Sequence, residues 1–333
     1  MPHKPHIVLI TPAAAGSRAG NRATATRWAG LLRSQGYRVS VRLPDAAPSG
    51  APELILALHA WRCHGALKAW KQAFPLCPVV LALTGTDVYR FQYSHPTTVY
   101  DSMDEADVLI GLHDCLEENL PERYVSRLRV VHQSARPLPP QVSKPGRRRF
   151  EVLVAGHLRE EKDSLRAAYA VRDLPRASRL QIIQMGGAHS EAWARAAREE
   201  MEGNPNYRWL GDQPQWRVRQ AMGRARLMVI SSLMEGGANV VSEACVAGLP
   251  IIASDIPGNR GLLGADYEGY YPVESTEALR ACLLRAEGSP DWLEDLGRQV
   301  SARAPLFSPE REAAHLAAVV ASAMETGSSS EHA

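Results

Sequence analysis

Met234-Glu-Gly-Gly-Ala-Asn-Val-Val-Ser-Glu-Ala-Cys-Val-Ala-Gly-Leu-Pro250 is the stretch on which the reading of this chain turns. Two carboxylates, Glu235 and Glu243, stand seven residues apart, and the small residues Gly236, Gly237, Ala238 and Asn239 follow the first. Upstream, the apolar run Leu227–Ile230 ends in Ser231-Ser232 and reads as a buried strand. Downstream, Val240, Val241, Ala244 and Ala247 make one apolar helix face, stopped by Gly248 and Pro250. The order is therefore strand, tight loop, helix N-terminus. Such an N-terminus presents unpaired backbone N–H groups and a positive partial charge, and small residues let an anion approach them closely. Carboxylates on either side accept hydrogen bonds from paired hydroxyls. A ligand with hydroxyls at both ends and a phosphate between them fits, and a nucleotide sugar is such a ligand. The plainer alternative is a surface helix with two solvated glutamates.

Length and composition narrow the field. The chain has 333 residues, enough for two domains, and is 45% hydrophobic, which suits a sizeable core. A formal net charge of +2 gives no field of the kind that attracts nucleic acid or a membrane surface. The apolar run Ile7–Ile10 is too short for a signal peptide or a membrane span. Cys63, Cys77, Cys115, Cys245 and Cys282 are scattered, with no C-x-x-C pair, which argues against a disulfide framework or a zinc site. These features lead to the expectation of a reducing, cytoplasmic compartment. Cys245, inside the motif helix, reads as a small buried hydrophobe.

Strands and helices alternate along the chain. Ile7–Ile10 is followed by a flexible loop through Gly16 and Gly20, a helix containing Trp28, Leu31 and Leu32, and a strand at Tyr37–Val41. This opening is that of a dinucleotide-type fold, but G-x-G-x-x-G is absent, so a nicotinamide cofactor is not expected. Leu54–Leu58, Val79–Leu83, Val108–Gly111 and Arg129–Val131 continue the series. Ligands of open parallel sheets bind beyond the carboxyl ends of strands, and His59, Thr86 and Asp87 fall there. Prolines and glycine between Arg136 and Arg149 mark a linker. A second series follows: Glu151–Ala155, Leu180–Gln184, Tyr207–Leu210, Leu227–Ile230, Ile251–Ala253 and Tyr270–Val273. Glu310–Met324 reads as a last helix. The predicted fold is α/β, with two doubly wound Rossmann-like domains.

Glu235 through Glu243, with its strand, loop and following Ala-Gly-x-Pro-Ile-Ile-Ala-Ser-Asp255, resembles the E-x7-E motif of the retaining, family-four glycosyltransferases of the GT-B fold. The resemblance implies two domains facing a cleft. Residues 1–140 would be an acceptor domain and 141–305 a nucleotide-sugar domain. A helix over 306–326 would cross back to the first domain, and 327–333 would be a frayed tail. It also implies that Glu235 contacts the donor sugar, that Glu243 holds the ribose, and that the amides of Gly236, Gly237, Ala238 and Asn239 meet sugar and diphosphate. Gly156-His157-Leu158-Arg159-Glu160-Glu161-Lys162 is similar to the family's G-R-L-x-x-E-K segment, whose cations hold the diphosphate. Lys162 keeps the lysine, but His157 stands where the family has arginine, and a neutral imidazole is no substitute for a fixed guanidinium. Arg159 is the candidate replacement. Glu235, Arg159 and Lys162 are thus the expected catalytic residues. Gly16, Gly186, Gly187 and Gln213 complete the expected nucleotide-sugar set. No D-x-D stands at a strand end, so neither a metal nor another cofactor is expected.

Further stretches resemble one subgroup, the selenosugar synthases of selenoneine biosynthesis: Gly20-Asn-Arg-x-Thr-Ala-x-Arg-Trp28, His59-Ala60, Thr84-Gly-Thr-Asp87, His132-Gln-Ser-Ala135 and Met234–Asn239. That resemblance implies a UDP-sugar donor, typically UDP-N-acetylglucosamine, and selenophosphate as acceptor, with release of UDP and phosphate. A small anionic acceptor calls for cations and amides in the first domain. Arg18, Asn21, Arg22, His59, Arg62, Thr86, Asp87 and Arg90 are the expected acceptor contacts. Two alternatives stay open: transfer to a glycan, lipid or other small molecule, and a nucleotide-sugar-binding protein without catalysis.

Overall fold

The computed structural model describes residues 3–17, 20–139 and 148–329. The chain divides into two compact units, residues 1–133 with 309–333, and residues 134–308. Each is built on one six-stranded sheet in which every recorded pairing is parallel.

In the first unit the strands are β1 (His6–Ile10), β2 (Arg38–Arg42), β3 (Leu54–Leu58), β4 (Val79–Ala82), β5 (Val108–Gly111) and β6 (Leu128–Val130), in spatial order β2-β1-β3-β4-β5-β6. Residues of β1 and β3 are wholly buried, because helices cover both faces of the sheet. Alternate side chains enter two cores. Ile7 and Leu9 pack with Trp28 and Leu32, whereas Val8 and Ile10 pack with Leu67 and Trp70. The last helix, Pro309–Ser329, contributes Leu316, Val319, Val320 and Ala323 to the first of these cores. Its Glu312 is buried and accepts from Arg27 Nε at 2.9 and 3.0 Å and from Trp28 Nε1 at 2.7 Å. This helix is described as far as Ser329, and residues 330–333 of the expected frayed tail lie outside the described residues.

The second unit contains β7 (Phe150–Ala155), β8 (Leu180–Met185), β9 (Tyr207–Trp209), β10 (Leu227–Ile230), β11 (Ile251–Ser254) and β12 (Tyr270–Tyr271), in spatial order β12-β11-β10-β7-β8-β9. Val152, Val229, Ile252, Val241, Leu283 and Phe307 belong to one continuous core. In both sheets the order reverses at one place, between β1 and β3 and between β10 and β7. The loops leaving adjacent strands diverge there, which opens a crevice at the carboxyl ends. Among the described residues, no helix is long and apolar enough to cross a membrane. The expected domain junction at 140/141 lies outside the described residues.

Candidate active site

The reversal point of the second sheet assembles the residues singled out in its sequence. After β7 the chain turns through Gly156 and His157 into a short 3-10 helix, Glu160–Lys162, closed by Asp163 in the left-handed conformation. After β10 it passes Ser231 and Ser232 and reaches Glu235. Lys162 Nζ and Glu235 Oε1 are in direct contact across 73 residues of sequence. Ser232 Oγ also donates to that oxygen, at 2.5 Å. Ser231 Oγ donates to the carbonyls of Lys162 and Asp163, both at 3.0 Å, and Leu233 N–H donates to Glu161 O at 2.9 Å. These bonds lock the two loops together. Glu235 is buried, and the Lys162 side chain retains 20% of its exposure.

The loop after Glu235 runs through Gly236, Gly237 and Ala238 into the helix Asn239–Ala247. Gly237 has φ +142°, a backbone state that side chains disfavour. Ala238 is the N-cap and supplies no side-chain acceptor; its carbonyl accepts from Val241 N–H at 2.9 Å. Asn239 is half-buried and its Oδ1 has no hydrogen-bond partner. Glu243 lies one turn along, half-buried, and accepts from Gln215 Nε2 at 3.2 Å. Cys245 faces the core, and burial pushes its thiol up to about 12, so it is inert.

Gly186 follows β8 and supports this arrangement sterically. A Cβ on it would lie 1.9 Å from Gly156 O. Gly187 donates its N–H to His157 Nδ1 at 3.1 Å. His157 therefore ties the β7 and β8 loops together, a structural task that an arginine at this position would not perform in the same way. Arg159 Nε lies 3.9 Å from Glu161 Oε2, and the Arg159 backbone N–H donates to buried Ser164 Oγ at 3.0 Å. Gln213 turns its amide back to Leu210 O at 2.5 Å.

Several supporting residues escape a reading of local sequence. A Cβ on Gly258 would come within 2.2 Å of Glu235 O. Ser254 Oγ donates to Ser232 O at 2.6 Å, and Asn259 Nδ2 donates to Ser254 O at 2.8 Å. Only the Ser231-Ser232 pair, polar residues directly after an apolar strand, offered a signal.

In the first unit, His59, Thr86 and Asp87 come together at the ends of β3 and β4. Asp87 is fully buried and opens a π-helix, Asp87–Phe91, that sequence periodicity does not reveal. His59 Nδ1 is 2.6 Å from Asp87 Oδ1, and His59 Nε2 is 3.1 Å from Thr86 Oγ1. Arg62 is exposed, and its backbone N–H faces His59 Nδ1 at 3.3 Å. Arg90 is also exposed, 5.8 Å above the Phe91 ring, and Phe91 stacks on Trp61 at 4.3 Å. Asn21 and Arg22 lie half-buried in the first turn of the helix Gly20–Ser34. Gly16 sits in an exposed turn with φ +82°, and Arg18 lies outside the described residues.

Residues 139–300 match the family model for glycosyl transferases group 1. A comparison with curated proteins finds no match. Among solved structures, Anabaena HepE in complex with UDP and glucose is 14% identical with a TM-score of 0.74, covering 96% of this chain and 100% of that one. Sucrose-phosphate synthase from Thermosynechococcus elongatus is 17% identical with a TM-score of 0.78, covering 97% and 100%. The lipopolysaccharide outer core galactosyltransferase WaaB is 15% identical with a TM-score of 0.70, covering 95% and 99%. With its two parallel six-stranded sheets, the chain has the two-domain α/β GT-B fold, and its residues 139–300 are similar to the glycosyl transferases of group 1.

Proposed function

We propose that the chain transfers a sugar, N-acetylglucosamine in the first instance, from a UDP-sugar to selenophosphate, forming a selenosugar with release of UDP and phosphate. The observation that carries the donor half is the Lys162–Glu235 contact beside the uncapped helix Asn239–Ala247. A cation, a helix N-terminus without a side-chain cap and two carboxylates stand at one strand-order reversal, the polarity that a nucleotide sugar requires. HepE, which shares the fold, was solved with UDP and glucose.

In this reading the diphosphate sits on the amides of Gly237, Ala238 and Asn239 and draws Lys162 and Arg159. As the sugar–oxygen bond breaks, negative charge grows on the leaving phosphate. Fixed dipoles and cations already aimed at that position stabilise it without reorganisation. Glu235 orients the sugar hydroxyls and Glu243 the ribose. Gly186 and Gly187 keep the backbone open beside the base, with Gln213 near it. Selenium of the acceptor bonds to the sugar carbon as the bond to UDP breaks, the oxygen leaving on UDP accepts the acceptor's proton, and water then cleaves the Se–P bond, giving phosphate and the selenol of the sugar.

The acceptor half is supported by placement. His59 and Thr84–Asp87, which carry the subgroup resemblance, follow β3 and β4 directly, and Gly20–Trp28 follows β1. Asn21, Arg22, Arg62 and Arg90 supply polar and cationic groups there.

The decisive experiment is incubation of the purified chain with UDP-N-acetylglucosamine and selenophosphate, followed by mass spectrometry. A selenium-bearing sugar together with UDP is expected, and its absence would overturn the acceptor assignment. A glycan or other hydroxyl-bearing acceptor is the second reading, favoured by the half-buried Trp61–Phe91 stack, a flat apolar platform of the kind sugar rings use. UDP release with such acceptors but not with selenophosphate would select it.

A further inference from the structure

Glu235 is gripped by one of its two carboxylate oxygens. Lys162 Nζ and Ser232 Oγ both donate to Oε1, the serine at 2.5 Å. Among the described residues no group donates a hydrogen bond to Oε2. A carboxylate accepts at both oxygens, so Oε2 is the one left for a ligand hydroxyl. The direction in which Oε2 points is set by whatever holds Oε1.

The two donors differ in how firmly they are themselves held. Lys162 carries its ammonium on a flexible four-carbon stem that keeps part of its exposure. Ser232 has a short side chain and is 2% exposed. Its backbone is braced from the next strand: Ser254 Oγ donates to Ser232 O at 2.6 Å. Asn259 Nδ2 in turn donates to Ser254 O at 2.8 Å and to Ser254 Oγ at 3.2 Å. Ser254 and Asn259 are fully buried, and Asn259 Oδ1 has no hydrogen-bond partner, so the whole polar capacity that Asn259 uses on side-chain bonds goes to Ser254.

A diphosphate competes with Glu235 for the Lys162 ammonium. Once the lysine turns to the phosphates, Ser232 is the remaining donor to Oε1. The backbone end of Glu235 is clamped in any case, because a Cβ on Gly258 would lie 2.2 Å from Glu235 O and 2.8 Å from Glu235 Cβ. Only the carboxylate end depends on a hydrogen bond. The neighbouring Ser231 does something else: its hydroxyl donates to the carbonyls of Lys162 and Asp163, so it fixes loop backbone and not the acid.

We propose that Ser232 is a positioning residue whose hydroxyl keeps Glu235 Oε2 aimed at the sugar of a nucleotide-sugar donor after the diphosphate has drawn Lys162 away. Ser254 and Asn259 stand behind it by fixing its backbone. This rests on the donor half of the reading above and is independent of the acceptor. Loss of the Ser232 hydroxyl is therefore felt by a ligand that carries the sugar and not by UDP.

The test is calorimetric titration of the full chain with UDP and with UDP-N-acetylglucosamine, in the absence of any acceptor. Ser232→Ala should leave UDP affinity within about twofold and loosen UDP-N-acetylglucosamine about tenfold, the effect of one lost hydrogen bond to a charged group. Ser232→Thr, which keeps a hydroxyl, should retain the parent's ratio of the two affinities. Ser231→Ala is the contrast, and should weaken both ligands alike while lowering the thermal transition. Equal loosening of both ligands in Ser232→Ala, or a changed ratio in a Ser232→Thr chain that melts like the parent, overturns the inference. Failure of the two readings is separable. A parent chain that binds neither ligand removes the donor reading and this inference with it, whereas binding of both with an unchanged ratio in Ser232→Ala removes this inference alone.

Discussion

Glu235 is held by a lysine and a serine before any ligand arrives, and this makes its chemistry testable by single substitutions. The contact neutralises Lys162 at rest. Glu235→Gln should free the ammonium for a diphosphate, so UDP alone should bind several-fold more tightly, by roughly 1 kcal/mol, while sugar transfer falls steeply. Calorimetric titration with UDP, paired with a turnover assay, reads both, and weaker UDP binding would count against the placement of the diphosphate. Glu243→Ala should do the opposite, weakening UDP by about 1–3 kcal/mol through loss of a carboxylate acceptor for paired hydroxyls. In the first unit, Asp87 has a carboxyl depressed in the fold. Its contribution to stability is present above the ordinary carboxylate range and is lost as pH falls through the lower folded value. Urea midpoints of the parent chain and Asp87→Asn should therefore differ most at neutral pH and converge in acid. A gap that widened in acid would refute the sign.

At the scale of elements, the site depends on how closely loops from neighbouring strands approach. Gly186 permits the β8 turn to lie against Gly156, and Gly258 permits the helix Pro257–Leu263 to lie against Glu235. The two should fail differently. In Gly186→Ala the new carbon meets backbone, and φ +152° is already unfavourable to a side chain. It should cost about 3 kcal/mol or more in stability, seen as an earlier thermal transition. Gly258→Ala pushes on the Glu235 backbone itself, so loss of turnover should exceed loss of UDP affinity. Equal losses in the two measurements would mean that Gly258 only fills space. The strands and the motif helix were legible in advance, because their apolar periods are local. The π-helix at Asp87–Phe91 was not, since an i→i+5 step has no compositional mark, and neither Gly258 nor Asn259 carried any signal in its own neighbourhood.

At the scale of the whole molecule, the chain leaves the first unit, builds the second, and then returns to the first, where the final helix fills part of the core. Glu312 is the polar anchor of that return, buried and bonded to Arg27 and Trp28. Glu312→Ala strands a guanidinium and an indole N–H, and should destabilise the first unit by about 3–5 kcal/mol. Hydrogen exchange should then rise in β1 to β6 and stay unchanged in β7 to β12. A uniform rise through both sheets would show that the anchor serves more than its own unit.

The sequence by itself determined the twelve-strand rhythm, the two-sheet class and the loop in which Glu235 and Glu243 sit, because these follow from patterns that repeat over a few residues. It also pointed to Lys162 and to His59, Thr86 and Asp87 as separate polar residues at strand ends. Only the tertiary structure decided that Lys162 meets Glu235, that His157 serves as a tie between loops, and that His59, Thr86 and Asp87 form one hydrogen-bonded chain. The physical reason lies in strand order: β7 lies beside β10, and β1 beside β3, through pairings between distant segments that local composition does not encode.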